Sequence, residues 1–317
     1  MDTLTSDSTW VEVHLRLCYE KRRMSLQEGE ACYKSGLRAA SSRNYPMGVV
    51  KFLLRLGFVY ELQGEFAKEI NYFLTALRIT EQIGDSAGIG NCYNSMGNLY
   101  NSLSDYDLAL DYHQKALAIR QKVGKADAIA GSYNNIGNTY LSQYRYAEAL
   151  TYYQRAETIN VRENNHEFLS SNYSNMGLAL DGMGKSAEAI EYHQKALAIR
   201  SKKMDEMLTA TSKIYLGTAY SHLGDHRRAL ELLQEGMEVA IQNDAKATME
   251  RGYEGLYQIW KLQGNYQKAL FAHEQLLYLR DSLRSNEVAG KVARAQLQFQ
   301  TERDRREAEL IAQNAAS

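Results

Sequence analysis

Proline is almost absent from this chain, since Pro46 is the only one among 317 residues. Proline is excluded from helix interiors because it lacks an amide proton and its ring clashes with the preceding turn. Its scarcity, in a chain of ordinary globular composition, favours an all-α fold.

Long apolar runs are also missing. No stretch reaches the roughly 18 apolar residues that a membrane-spanning helix needs. The beginning, MDTLTSDSTW, has neither the cationic nor the apolar region of a signal peptide. We therefore expect a soluble segment without direct membrane contact; the sequence leaves the compartment open, cytoplasmic as it stands and extracytoplasmic if a leader has been removed.

Cysteine is scarce, and the three that occur, Cys18, Cys32 and Cys92, form an odd number without C-x-x-C spacing. This argues against a disulfide framework and against a structural zinc site. The sequence predicts buried thiols. The alternative is that Cys18 and Cys32 face each other across a helical hairpin.

Charge of one sign is not in excess, because the formal net charge is −1. No basic block precedes the charged final segment, so the chain lacks the electrostatic pattern that binds nucleic acid or an anionic membrane. We expect neither as a partner.

What the chain does contain is a repeat. The nine residues YHQKALAIR end at Arg120 and occur again ending at Arg200. The underlying period is 40 residues. Most copies carry a glycine at one position of the period, a large residue three positions after it, and alanine twelve and nineteen positions after it. The glycines are Gly57, Gly97, Gly137, Gly177 and Gly217. In the last copy Tyr257 replaces the glycine, and in the first copy Glu69 replaces the alanine twelve positions after the glycine.

Each period is predicted to hold two amphipathic helices, because large residues return every three or four positions. Asp105, Asp225 and Asn265 stand where the second helix should begin, and their side chains are suited to N-caps. Gly84, Gly124 and Asn164 stand where it should end, and these residue types tolerate left-handed backbone. The recurring small residues are expected to mark close helix contacts.

The register of glycine, aromatic residue and alanine resembles the tetratricopeptide repeat, in a form longer than the usual unit of about 34 residues. The resemblance covers residues 47–283 and implies a right-handed α-solenoid of stacked helix-turn-helix units. Residues 1–46 resemble a degenerate N-terminal capping repeat. In a solenoid each internal unit meets the same surroundings, which explains the nine repeated residues.

Residues 284–317 are predicted to form an extended C-terminal helix. Val288, Val292, Ala295 and Phe299 form a short coiled-coil-like stripe before the segment becomes charged on all sides. Two interpretations stay open: a helix that caps the last repeat, or a coiled-coil linker through which the chain forms a dimer.

No catalytic, cofactor or metal motif is found in the sequence. His113, His193 and His273 share one repeat phase, but two repeats would separate neighbours by about 20 Å. A zinc ion needs its nitrogen ligands at about 2.1 Å. We therefore expect packing histidines, no cofactor and no enzyme activity.

Asparagine recurs along the first helices, although its amide competes with the helix backbone. In the tetratricopeptide family this face lines the concave surface, and asparagines at matching positions hold an extended peptide. The resemblance therefore implies a peptide-binding groove; the alternative is that the amides bridge successive helices or meet water. The predicted groove residues are Asn94, Asn98, Asn134, Asn135, Asn138, Asn175, Tyr215 and Thr218.

Charged residues at the same phases, Lys51, Arg55 and Arg251, would let the groove accept a carboxylate, unless they are only solvated surface charge. The sequence predicts a non-catalytic scaffold for a protein or peptide ligand, resembling the input module of bacterial signalling proteins. The alternatives are a peptide-pheromone-responsive regulator and a structural assembly subunit that binds through its ends or convex face.

Overall fold

A computed structural model describes residues 3–282, and within this range the backbone is helical apart from short turns. The predicted extended helix over 284–317, with its stripe at Val288 to Phe299, lies outside the described residues. Consecutive helices pair into hairpins. In each hairpin the odd-numbered helix is the first helix and the even-numbered helix that follows it is the second. Their bounds are α1 Thr3–Met24, α2 Leu26–Ser42, α3 Pro46–Leu62, α4 Phe66–Gln82, α5 Ser86–Ser102, α6 Tyr106–Val123, α7 Ala126–Ser142, α8 Tyr146–Arg162, α9 His166–Gly182, α10 Ser186–Lys202, α11 Glu206–Leu223, α12 His226–Gln242, α13 Lys246–Leu262 and α14 266–282.

The chain divides into two compact units, and the described part of unit 1 ends at Ile119 while unit 2 begins at Arg120. Within unit 1, consecutive helices from α1 to α5 pack against one another, and α3 also contacts α1 and α5. Within unit 2, consecutive helices from α7 to α13 pack against one another, and each first helix also contacts the next first helix. The all-α prediction is confirmed. None of the helices in the described range is both long and apolar enough to cross a lipid bilayer.

The predicted helix ends are confirmed. The side chains of Asp105, Asp225 and Asn265 each accept a hydrogen bond from the backbone N–H three residues on. Gly84, Gly124 and Asn164 all have positive φ, between 52° and 79°. These left-handed residues let each helix stop and the chain turn into the next one.

The phase glycines mark close contacts within the hairpins. The residue sixteen positions later packs directly on the glycine, so that a Cβ at Gly137 would lie 2.5 Å from Cε1 of Tyr153. Gly57 meets Phe73 and Gly97 meets His113 in the same way in unit 1, and in unit 2 Gly177 meets His193. Because glycine has no side chain, a ring can pack against the helix backbone at each of these points.

The prediction of buried thiols is confirmed for Cys92, which is buried and free, and is wrong for Cys18 and Cys32. As in the alternative that the sequence left open, these two face each other across the α1–α2 hairpin and form a disulfide, with their Cα atoms 5.3 Å apart. The helices approach this closely because α2 carries Gly29, whose missing Cβ would lie 2.5 Å from Cβ of Arg22. The hairpin geometry, which spacing rules on cysteine motifs do not capture, decides the pairing.

Candidate functional site

The predicted asparagines of unit 2 come together on neighbouring first helices. Asn138 of α7 and Asn175 of α9 are hydrogen-bonded, with Asn175 Nδ2 donating to Asn138 Oδ1 at 2.9 Å. Asn175 Nδ2 also lies 3.4 Å from Oδ1 of Asn134. We call Asn134, Asn138, Asn172 and Asn175 the amide row.

The amide row is anchored to the core by the hydroxyl of Tyr153, which donates to Asn138 Oδ1 at 2.8 Å. Tyr153 is fully buried on α8, against Gly137. Asn172, also fully buried, donates to the backbone carbonyl of Tyr153 at 3.1 Å and lies 3.5 Å from Asn134 Oδ1. A charge-neutral network of this kind holds the half-buried amides of Asn138 and Asn175 in a fixed orientation.

Asn138 and Asn175 keep unused hydrogen-bonding capacity. Each is only half-buried, and the bonds described above engage Oδ1 of Asn138 and Nδ2 of Asn175. Within the described part of the chain, Asn138 Nδ2 and Asn175 Oδ1 make no hydrogen bond. One donor on α7 and one acceptor on α9 therefore remain for a ligand, and a peptide unit carries the complementary acceptor and donor.

The remaining predicted residues lie in several places. Asn135 is half-buried on α7, one residue from Asn134. Thr218 of α11 donates to the carbonyl of Ile214 at 2.9 Å, and Tyr215 lies between His193 and Arg251, with its ring centroid 5.7 Å and 5.1 Å from them. Asn94 and Asn98 lie on α5 in unit 1, half-buried and exposed respectively.

Three residues beyond Asn138 and Asn175, at Leu141 and Leu178, the first helices of unit 2 line an open cavity of about 350 Å³. Leu141, Tyr144 and Tyr146 form its wall at the α7–α8 hairpin, and α13 contributes Arg251 and Glu254 to the opposite wall. Leu178 and Thr218, which occupy the repeat phase of Asn138, also line it. We call this space the His222 cavity, because His222 of α11 contributes a titratable group to it.

His222 is held by Asp181 of α9. The Nδ1 atom of His222 lies 2.8 Å from Oδ2 and 3.0 Å from Oδ1 of Asp181, and the hydroxyl of Ser186 donates to the same carboxylate at 2.8 Å. The Asp181 side chain is 11% exposed and that of His222 is 55% exposed. The hydrogen bond with Asp181 raises the pKa of the His222 imidazole. The ring is therefore oriented with Nδ1 toward the protein and Nε2 away from Asp181.

The sequence did not predict the roles of Asp181, His222 or Asn172. The repeat register contained a usable signal, because hydrogen-bonded partners on adjacent first helices are separated by about one period: 41 residues for His222 and Asp181, and 37 for Asn175 and Asn138. Polar residues separated by about one period are therefore candidates for a shared network on this face.

His193 and His113 are packing residues, as predicted. Each is 1% exposed and lies on a phase glycine. Burial lowers the pKa of His193 to about 4, so the ring is neutral near neutral pH. His273 packs on Tyr257, with ring centroids 4.8 Å apart.

One group within the described range has its ligand atoms close enough for a metal. The atoms of His14, Cys18 and Cys32 lie within 4.8 Å of one another. Cysteine binds metals as the thiolate, whereas these two sulfur atoms are bonded to each other. The disulfide form of this cluster therefore lacks two of the three ligands.

Two models of the tetratricopeptide repeat match the chain, one over residues 50–122 and 128–202 and the other over residues 209–242. No curated protein matches the sequence significantly.

Many solved structures resemble the fold. The apo form of RapI has a TM-score of 0.66 at 20% identity, covering 87% of this chain and 99% of RapI. The Rap conjugation gene regulator of the plasmid pLS20, solved in complex with the Phr* peptide, has a TM-score of 0.65 at 16% identity, covering 86% and 73% of the two chains. BtubC from P. vanneervenii has a TM-score of 0.59 at 21% identity, covering 69% and 92%.

Proposed function

The chain belongs to the tetratricopeptide repeat family, and on that premise we propose that it is a non-catalytic scaffold that binds an extended peptide or partner segment along the first helices of unit 2. The amide row is the observation that carries the proposal. Its amides are positioned by buried bonds to Tyr153, yet they leave a donor and an acceptor on the surface. Such a pair binds a peptide backbone without demanding a particular sequence, because every peptide unit carries one acceptor and one donor.

Helix bridging, which the sequence left as the alternative, accounts for only part of this arrangement. The bond between Asn138 and Asn175 does join α7 to α9. A purely structural bridge would be served as well by buried apolar contacts, since a hydrogen bond gains only about 1 kcal/mol net. The half-buried position of both amides and the adjoining cavity favour a surface that binds a ligand.

The signalling role is a further part of the proposal. The pLS20 regulator, which has a similar fold, is a conjugation gene regulator that was solved with a bound peptide. We propose by analogy that this chain acts as the input module of a bacterial signalling protein, and a peptide-pheromone-responsive regulator is the version that this likeness favours. A structural assembly subunit that binds through its ends or convex face is the contrasting possibility, in which the amide row plays no part.

Loss of the amide row is expected to weaken peptide binding. In Asn138→Ala/Asn175→Ala, about two backbone hydrogen bonds to the ligand are lost, which corresponds to about 2 kcal/mol or roughly 30-fold in Kd. The measurement is retention of mixed-sequence synthetic peptides by the full chain, followed by fluorescence anisotropy with the retained peptides. Unchanged binding would assign the ligand to another surface.

Two further variants separate binding from folding. Asn138→Asp keeps the acceptor oxygen for Tyr153 but replaces the outward amide with an anion that repels peptide carbonyls, so it should lose binding while keeping its fold. Gln154→Ala/Gln234→Ala removes two exposed side-chain amides from the second helices α8 and α12, and binding should be retained. Equal losses in the control and in the amide row would contradict the proposal.

A further inference from the structure

The hairpin of α1 and α2 brings a histidine against the Cys18–Cys32 pair. His14 and Cys18 are four residues apart on α1, which places both side chains on one face of the helix. Cys32 comes from α2, the other helix of the hairpin. An imidazole nitrogen and the two sulfur atoms all lie within 4.8 Å of one another. We call these three side chains the His14 cluster.

The imidazole of His14 is held in place by neighbouring rings. It stacks on Trp10 with the ring centroids 4.9 Å apart, and the ring of Phe52 meets it edge-on at 5.8 Å. Gly36 of α2 makes room for it, because a Cβ there would lie 2.9 Å from Cδ2 of His14. The ring therefore has a packed, fixed position beside the two sulfur atoms, as a metal ligand requires.

The disulfide alone does not explain this histidine. Within the described residues, Nε2 of His14 is buried and makes no hydrogen bond. A buried polar atom without a partner is rare in folded proteins and is explained by a bound water, a redox role or an ion. Because the neighbouring ligand atoms are the sulfurs of Cys18 and Cys32, a redox role and a thiophilic ion are the explanations that fit this site.

The donor set of the His14 cluster suits Zn²⁺. Thiolate and imidazole are ligands that Zn²⁺ prefers, and a set of two cysteines and one histidine leaves a fourth position for an external ligand. At a Zn–S distance of about 2.3 Å and a tetrahedral angle, two thiolates lie about 3.8 Å apart. The ligand atoms already lie within 4.8 Å of one another, so small side-chain shifts are sufficient. Two thiolates also balance the charge of the ion, so the fully buried surroundings of Cys18 receive no net charge.

We propose that the His14 cluster is a redox-controlled metal site, in which reduction of the Cys18–Cys32 disulfide creates a binding site for Zn²⁺ or a similar thiophilic ion. An external thiol reductant supplies the electrons. Two of its S–H groups are oxidised to a disulfide, the S–S bond of the protein breaks, and Cys18 and Cys32 each gain a proton. The ion then displaces both protons to solvent and forms two metal–sulfur bonds, with His14 as the third ligand. The metal keeps its oxidation state.

The C-x-x-C rule, which argued against a zinc site, does not detect this cluster, because its ligands come from two helices and meet only in the folded hairpin. The site is also independent of the proposed function. The His14 cluster lies in unit 1, whereas the amide row lies on α7 and α9 of unit 2. Failure of one proposal therefore leaves the other untouched.

Cobalt binding by the full chain tests the site, because Co²⁺ occupies zinc sites and its bonds to thiolate give an intense near-ultraviolet absorption. The wild type is prepared in two forms, air-oxidised and reduced with a phosphine that is then removed under nitrogen. Each form is titrated with Co²⁺ and then with Zn²⁺. The oxidised form is the matched control, because it keeps all the histidines and the free thiol of Cys92 and lacks only the two thiols of the cluster.

We expect the reduced chain to bind one Co²⁺ with thiolate absorption, to release it to Zn²⁺, and to bind at least roughly 100-fold more tightly than the oxidised chain. Loss of even an outer-shell partner of a metal ligand typically costs about 10–100-fold in affinity, and the oxidised chain loses two ligands. Cys18→Ser and Cys32→Ser should each weaken the thiolate absorption, and His14→Ala should keep it while weakening Co²⁺ binding at least roughly tenfold. Cys92→Ala and His166→Gln, at an exposed histidine, should behave like the wild type.

Equal Co²⁺ binding by the oxidised and reduced chains, or binding by the reduced chain without thiolate absorption, would overturn the site. Absorption that is lost in Cys92→Ala but kept in Cys18→Ser would assign the metal to Cys92 and overturn it as well. The comparison of the two wild-type forms needs no variant, so it decides the question even where Cys18→Ser disturbs the hairpin. A reduced wild type that loses its helical circular dichroism and does not regain it with Zn²⁺ would also contradict the proposal.

Discussion

Gly137→Val is expected to lower the free energy of unfolding of unit 2 by about 3 kcal/mol, a typical cost for forcing extra atoms into a filled core. The first added carbon would already lie 2.5 Å from the ring of Tyr153. That ring cannot move aside freely, because Tyr153 is fully buried and its hydroxyl is bonded to Asn138. Either the ring leaves its place, which disturbs the amide row, or α7 and α8 separate.

Gly131→Ala is the matched control, since Gly131 lies on the same helix and a Cβ there would meet no atom within 4 Å. Alanine should stabilise this position by about 0.5–1 kcal/mol through helix propensity alone. Urea denaturation followed by circular dichroism at the helical band measures both variants. Effects of the same sign and size would show that the phase glycine is not a packing requirement.

The second large effect concerns pH and Glu69. This carboxyl is 1% exposed on α4 and occupies the repeat phase at which other copies carry alanine. Burial raises the pKa of Glu69 to about 9, and the nearby Glu61 carboxyl contributes in the same direction. A buried carboxyl avoids the cost of desolvating its charge by keeping its proton.

The direction in which pH changes the free energy of unfolding follows from the number of protons that the folded and unfolded states bind. Between the ordinary glutamate pKa of about 4.5 and the folded value of about 9, the folded state holds a proton that the unfolded state releases. The contribution of Glu69 to stability is therefore greatest below this window and falls by about 1.4 kcal/mol per unit as pH rises through it. We expect unit 1 to lose about 3 kcal/mol between about pH 6 and pH 8.

Variants of Glu69 isolate this contribution. Glu69→Gln cannot ionise, and Glu69→Ala restores the residue of the other repeats, so both should give a nearly flat profile across the same range. Glu81→Gln removes an exposed carboxyl from the same helix and should keep the wild-type slope. Chemical denaturation at several pH values tests all three. A wild-type profile as flat as that of Glu69→Gln would contradict the buried-acid interpretation.

Local residue types were sufficient to predict the hairpins and their ends. The positive φ of Gly84 and Asn164 and the cap formed by Asp225 follow from properties of those residues in their own turns, so a sequence pattern captures them. The sequence predicted that the helices pack closely at Gly137 and Gly177, because a glycine that recurs inside a helix indicates close approach of a neighbouring helix.

The sequence favoured buried thiols at Cys18 and Cys32 and left their pairing across a hairpin as the alternative, because disulfide formation depends on the distance between two helices. Cys18 and Cys32 lie 14 residues apart with no metal or redox spacing, and only the close α1–α2 packing at Gly29 brings their Cα atoms to 5.3 Å. The groove was predicted in part. Asn134, Asn138 and Asn175 do meet on neighbouring helices, whereas the buried support from Asn172 and the hydroxyl of Tyr153 was not foreseen.

The amino-acid sequence by itself determined the helical class, the period of 40 residues and the places where helices start, stop and touch, because these depend on backbone preferences and on side chains within one hairpin. Only the tertiary structure decided which polar groups act together. Within the described residues, the pairing of His222 with Asp181, the bond between Asn138 and Asn175, and the contact of Arg251 with the ring of Tyr215 arise between helices about one repeat apart. Their hydrogen bonds depend on side-chain positions within a few tenths of an ångström, and such positions are set by packing against neighbouring helices rather than by local propensity.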